Sequence, residues 1–356
     1  MSDFNFPAIG IKPVSRISPS RYYSFKQCAL REILSACKQP ALLPVSTAAR
    51  IGSIVHKIIE MASSGKISDN GQFDKLWQEE VSNHELAMNS NPLERHLVPL
   101  EETSDDYDVK KFMARQMIRS FASAGRPREA QRGKSVPEAW LETRDAKIGG
   151  RIDLIQATSD GVYLLDYKTG NIIDEIHDKP REEYAIQIKL YAGLFHEVRG
   201  EWPKKLFIVG LDQSVHEIAF SQAECSALVD QARELLDNTN KLINEGRAAS
   251  DFASPSPEAC KYCLFRPGCS KYWKARHDTG EWPLDVIGHI KEKGFSGNKM
   301  GKLVIERNEK TYTIRALTGR HSLLSEPCEN ALVCNLGNDN SRDHYVERLL
   351  TTSYIL

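Results

Sequence analysis

Between residues 138 and 217 the chain reads as three short strands, a helix and two further strands, an order that leaves few folds open. The stretches "EAWLETRDAKIGG", "RIDLIQAT" and "GVYLLDYKT" are β-rich and divided by turn residues. "REEYAIQIKLYAGLFHEVRG" has helical periodicity and ends on a glycine cap, after which "KLFIVGL" and "SVHEIAF" return to strand texture. Such a succession predicts an α/β fold, a central mixed sheet flanked by helices.

The flanks are helical before this block and mixed after it. "SPSRYYSFKQCALREILSACK" predicts a helix opened by serine and proline, with Cys28 on or beside it. "STAARIGSIVHKIIEMASSGK" predicts a second, with Ile54, Ile58 and Ile59 on one face and His56 within it. Residues 82–99 are polar and predict a connection or a peripheral helix. Residues 110–134 carry eight Lys or Arg against one Glu, which suits either a solvated helix face or a phosphate-contacting one. A long helix over 221–248 leads to a Cys/Pro-rich segment at 251–273. Beyond residue 283 five short alternating runs predict a small β-barrel of the oligonucleotide-binding (OB) or a related type. There Lys310, Tyr312 and Arg315 interleave as a single-strand-binding surface would require. Two domains are expected, 1–277 and 278–356.

Composition narrows the function classes. With 41% hydrophobic and 27% charged residues the chain is an ordinary globular protein, so extensive disorder is not expected. Forty-seven basic and 48 acidic residues give a net charge of −1, so any site for a polyanion must be local. The start, "MSDFNFPAIGIKPVSR", lacks a secretory pattern, and no apolar run approaches the roughly 20 residues of a spanning helix. A cytoplasmic location with no membrane association is the expectation. In that compartment eight cysteines point to metal or cluster ligands wherever they are grouped.

The chemistry is concentrated in "GRIDLI" and "LLDYKTG". Asp166 and Lys168 are two residues apart on one strand, hence on one face, and hairpin pairing can bring Asp153 beside them. Two converging carboxylates repel, and a divalent cation removes that penalty, oxygen ligands favouring Mg²⁺ or Mn²⁺. A lysine beside such an ion can orient or help deprotonate an attacking water and offset phosphate charge, which points to phosphodiester hydrolysis. The bland alternative is a surface hairpin with a routine ion pair.

These residues resemble the PD-(D/E)XK nuclease core in its RecB-type form. The family's proline is missing before Asp153, while both acids and Lys168 are in place. "GSIVHKIIE" resembles the family's upstream motif, in which a histidine joins the metal sphere, so the resemblance gives that role to His56. "YAIQIKLYAGLF" resembles the motif after the lysine, and implies that Gln187 and Tyr191, four apart on one helical face, contact the scissile strand. The resemblance covers about residues 15–275 and implies a deoxyribonuclease acting on single-stranded DNA or strand ends, in repair, recombination or defence. A non-catalytic nucleic-acid-binding subunit is the alternative. No Gly-rich loop ending in Gly-Lys-Ser/Thr is present, so a separate helicase or recombination protein is the expected partner.

"CKYCLFRPGC" places Cys260, Cys263 and Cys269 at gaps of two and five residues, with Cys28 expected as the fourth sulfur. Zinc modules usually supply two close pairs. One distant cysteine plus a trio instead resembles the iron-sulfur clasp of RecB-type nucleases such as AddB and the CRISPR-associated adaptation nucleases. The resemblance implies a structural [4Fe-4S] cluster; a zinc-bound adaptor is the rival. Cys37, Cys225, Cys328 and Cys334 lack ligand spacing and are expected to be small apolar residues.

Overall fold

In the computed structural model the described residues are 10–67, 69–123, 136–277, 280–297, 299–339 and 343–356. Residues 124–134 of the basic stretch and the first nine residues lie outside them. Helices α1 (Pro19–Gln27), α2 (Ala29–Ala36), α3 (Thr47–Ser63), α4 (Asn70–Asn89), α5 (Leu100–Thr103) and α6 (Tyr107–Ser123) precede the first sheet. The single helix expected around Cys28 is two: Cys28 is extended (φ −156°, ψ 100°) between α1 and α2, which turns its side chain off the helical path. The polar stretch from residue 82 continues α4 as far as Asn89.

The first sheet has the order β1 (Val136–Glu142), β2 (Gly149–Thr158), β3 (Gly161–Lys168), β6 (Lys205–Gly210), β7 (Val215–Glu217). A small hairpin, β4 (Ile173–Asp174) with β5 (Lys179–Pro180), and then helix α7 (Glu182–Arg199) connect β3 to β6, which pair in parallel. Every other pairing in this sheet is antiparallel, so it is mixed as predicted. One face packs Ile152, Leu164, Leu206 and Ile208 against α7, α1, α2 and helix α8 (Gln222–Asn244). The other packs Leu154, Leu165, Tyr167 and Val209 against α3, α4 and α6. A sheet covered on both faces buries its strands' apolar side chains throughout, which is why "LLDYK" reads as nearly continuous apolar sequence.

Helices α9 (Pro257–Lys261) and α10 (Ser270–Ala275) carry the cysteine segment to a second sheet. Its strands are β8 (Val286–Phe295), β9 (Gly301–Arg307), β10 (Lys310–Leu317), β11 (Asn330–Cys334), β12 (Gly337–Asn338), β13 (His344–Val346) and β14 (Thr352–Ile355), in the order β12-β13-β10-β9-β8-β11-β14. Where five runs predicted a small barrel, the structure has a seven-stranded sheet whose outer strands, β12 and β14, are not neighbours. Register shifts at Ile290/Glu292 and Ile314/Leu317 bend it around its own core. Tyr312 lies inside that core against Tyr345 (ring centroids 6.3 Å), Lys310 pairs with Asp343 at 2.7 Å, and Arg315 lies 3.6 Å from Asp339. The composition expected of a base-stacking surface is here that of a half-buried sheet.

Candidate active site

The β2–β3 ladder runs from Thr158↔Gly161 to Leu154↔Leu165 and then opens. Asp153 and Asp166 occupy the next position, where the strands part. Tyr167 has no cross-strand carbonyl there, and its N–H donates to Asp153 Oδ2 at 2.6 Å. The same place is irregular on the other side. Val136, Ala139 and Leu141 of β1, and Ile152 and Ile155 of β2, all contribute to one core, so the two-residue alternation shifts at Glu138 and Asp153, which face each other between the pairs Pro137↔Leu154 and Ala139↔Ile152. Glu138 takes φ 51°, a left-handed conformation uncommon for a side-chain-bearing residue. Three acids from three strands thus meet where the sheet's regularity fails.

Asp166 is buried, at 2% exposure, and its two oxygens have different surroundings. Oδ1 accepts from Gln187 Nε2 at 2.8 Å. Lys168 Nζ forms an ion pair with Oδ2 at 2.7 Å. Lys168 Nζ also donates to Gln187 Oε1 at 2.8 Å and lies 4.7 Å from the centre of the Tyr184 ring. Gln187 therefore ties the acid and the base of the D-x-K pair together through both ends of one amide. Tyr191, a turn later on α7, is buried and donates its hydroxyl to Arg151 O at 2.8 Å, binding α7 to β2 just ahead of Asp153.

The charges are coupled. Burial, then the Asp166 charge, push the Asp153 carboxyl well above the usual carboxylate range. Burial alone would lower the Lys168 ammonium's pKa; the Asp166 carboxylate outweighs it and the net shift is upward, so the lysine is a cation at neutral pH. His56 is pushed down by burial and by Lys168, against a smaller upward pull from Asp166, which places it within the field of both and keeps its imidazole neutral, the form that ligates metals. Glu138 is raised by burial and by its neighbours Glu60 and Asp166.

Helix α3 reaches the site because Gly52 leaves room: a Cβ there would stand 3.1 Å from Thr169 Oγ1, directly after Lys168. Glu138, Glu60 and Tyr184 were not singled out in the sequence. The signal for Glu138 is only its place opposite Asp153, visible once the register is known. Among the described residues no three His, Cys, Asp or Glu already converge as the ligand set of one ion. What suits a hard cation is the buried Asp166 carboxylate beside Asp153, whose carboxyl is pushed up by burial and by the Asp166 charge.

Cys28, Cys260, Cys263 and Cys269 line one apolar pocket with Leu34 and Tyr272. Burial pushes Cys260 up to about 12 and Cys263 up to about 11, and raises Cys269, each also feeling the Cys28 thiol. The backbone at Phe265 hydrogen-bonds Cys263, and that at Lys271 and Tyr272 hydrogen-bonds Cys269, favouring the thiolates. The four sulfurs thus share one pocket, although among the described residues they do not already converge as the ligand set of one metal ion. The remaining cysteines are also unpaired; Cys225 and Cys334 are buried, whereas Cys37 and Cys328 are half-buried.

The sequence profile of the PD-(D/E)XK nuclease superfamily matches residues 16–270. Over 85 residues, 23% of this chain and 7% of the relative, the sequence is 32% identical to an ATP-dependent helicase/nuclease subunit of Carboxydothermus hydrogenoformans. The protein of the same name from Thermoanaerobacter sp. is 31% identical over 75 residues, 21% of this chain and 6% of that one. The chain spans only these small shares of its curated relatives. The solved structure titled "Crystal structure of SSO0001" covers 52% of this chain and 95% of its own at 17% identity, with a TM-score of 0.26, too slight a likeness to argue from.

Proposed function

Because the chain belongs to the PD-(D/E)XK nuclease superfamily, we propose that it is a deoxyribonuclease dependent on Mg²⁺ or Mn²⁺, cutting single-stranded DNA or strand ends. The observation that carries this reading is the pair Asp153 and Asp166 at the opening of the β2–β3 ladder, with the Lys168 ammonium 2.7 Å from Asp166 Oδ2. Asp153, Asp166 and His56 would hold the ion, which when bound polarises a phosphate oxygen and acidifies water. Lys168, being charged, offsets phosphate charge and orients the water rather than removing its proton. Gln187 fixes Asp166 and Lys168 relative to each other, and Tyr191 acts by anchoring β2.

Cys28, Cys260, Cys263 and Cys269 would hold a [4Fe-4S] cluster whose task is to staple the two sequence ends of the nuclease body. Work in the reducing cytoplasm, in repair, recombination or defence, fits this picture, as does a separate helicase or recombination partner. No described helix is long and apolar enough to cross a membrane. Labelled single strands and duplexes, blocked at one end or the other, incubated with Mg²⁺ or Mn²⁺, test the reading. Wild type should cut and Asp166→Ala should not. Binding by both without cutting by either would make the protein a non-catalytic DNA-binding subunit instead.

A further inference from the structure

We propose that Trp140, flanked by Arg16 and Arg151, forms a subsite for an unpaired base and its phosphates, beside the carboxylate pair. The proposal rests on the nuclease reading and names the substrate class of that site, a single strand rather than a duplex. Trp140 lies on β1, an edge strand of the first sheet, and is 49% exposed although tryptophan is the largest apolar side chain. It pairs with Arg151 in the β1–β2 register, so the two side chains stand next to each other on one face. Arg151 is two residues, about 7 Å, before Asp153. Its side chain is 57% exposed, and its guanidinium lies 3.9 Å from Glu138, which is itself within the field of Asp166.

On the other flank the Arg16 guanidinium lies 4.8 Å over the Trp140 ring and is held at 2.9 Å by Glu142. Thus the acids two residues either side of Trp140 each orient one arginine. A guanidinium has five donors, so one carboxylate contact leaves others for a phosphate. Gly149, paired with Glu142, makes this possible: a Cβ there would stand 3.1 Å from Glu142 and 3.2 Å from the Arg16 stem. An exposed indole between two arginines, linked to the carboxylate pair through Arg151 and Glu138, matches how single strands are held, by stacking and backbone charge. A duplex hides its base faces and could use only the arginines.

The test is fluorescence anisotropy of a labelled single-stranded oligonucleotide without divalent metal, alongside cleavage with Mg²⁺. Trp140→Ala should weaken single-strand binding roughly tenfold, Trp140→Phe should restore most of it, and duplex binding should be unmoved. A strand carrying abasic positions should bind wild type more weakly than an intact strand, and the difference should vanish in Trp140→Ala. Equal binding of intact and abasic strands by wild type overturns the subsite whatever the variants do. Should wild type cut DNA while Trp140→Ala binds and cuts as well, the subsite fails and the nuclease stands. Trp140-dependent binding with no cleavage by any form would leave the subsite and remove the nuclease.

Discussion

The two clusters of candidate metal ligands solve opposite problems. Asp153 and Asp166 are hard oxygens whose burial is only partly offset: Lys168 pairs with Asp166, while burial and the Asp166 charge push the Asp153 carboxyl up. The four cysteines are soft donors around one pocket; burial raises Cys260, Cys263 and Cys269, and Arg31 and Lys271 offset only part of this at Cys263 and Cys269. At the first site Lys168 offsets part of the negative charge; at the second the thiols lie in a largely apolar pocket. The exchangeable ion proposed for the first and the structural cluster proposed for the second differ accordingly.

The largest effect should come from Asp166→Asn, which keeps the size of the side chain but removes the charge facing both Lys168 and the ion. Cleavage should fall by about 10³-fold or more, since a bound ion contributes several kcal/mol and each 1.4 kcal/mol is tenfold. Its thermal midpoint should change little beside that of the cysteine variants. Next, Cys263→Ser should abolish the visible absorbance expected of the cluster and lower stability by on the order of 4 kcal/mol, the scale of a cross-link closing a very long loop. Absorbance and unfolding curves would show this, and a colourless wild type containing zinc would break the comparison.

Lys168→Met removes the offsetting charge. It should leave ion binding, measured by calorimetry, within a fewfold of wild type while cleavage drops about 10²-fold, the loss expected when one group stabilising developing charge is removed.

The raised Asp153 carboxyl gives a pH signature. The folded state holds a proton that the unfolded state has lost above about pH 4, so the metal-free protein should lose stability as pH rises through the folded value. Ion affinity should rise over the same interval, because binding displaces that proton. Melting curves with and without Mg²⁺ should therefore diverge as pH increases, and Asp153→Asn should remove the divergence. The smallest effect is expected at Tyr184, whose ring faces the Lys168 ammonium. Leucine there should slow cleavage by roughly tenfold or less, with phenylalanine restoring it, because a cation over an aromatic face is worth only about 1–2 kcal/mol when desolvated.

Much of this was legible before the structure. Strand texture and turn residues place β1, β2 and β3, and the two-residue spacing of Asp166 and Lys168 survives as a face-sharing pair. What was hidden depends on register and on backbone conformation. Glu138 becomes part of the site only because it faces Asp153 across a break in alternation, with φ at 51°. The interruption at Cys28 has no proline or glycine to announce it, since an extended residue between two helices is chosen by tertiary packing. Tyr191 was expected to face a DNA strand from its place four residues after Gln187, yet its hydroxyl is engaged by a backbone carbonyl that helical spacing alone cannot reveal. At the C-terminal end, alternation correctly indicated β structure, but strand count and closure depend on long-range pairing such as the parallel β10–β13 contact.

Calorimetric titration of EDTA-dialysed protein with Mn²⁺, wild type beside Asp166→Asn, tests the central claim most directly. One saturable site in wild type that is lost in the variant is the predicted result. Identical binding by the two proteins, or none by either, would contradict the assignment of Asp153 and Asp166 as a shared cation site.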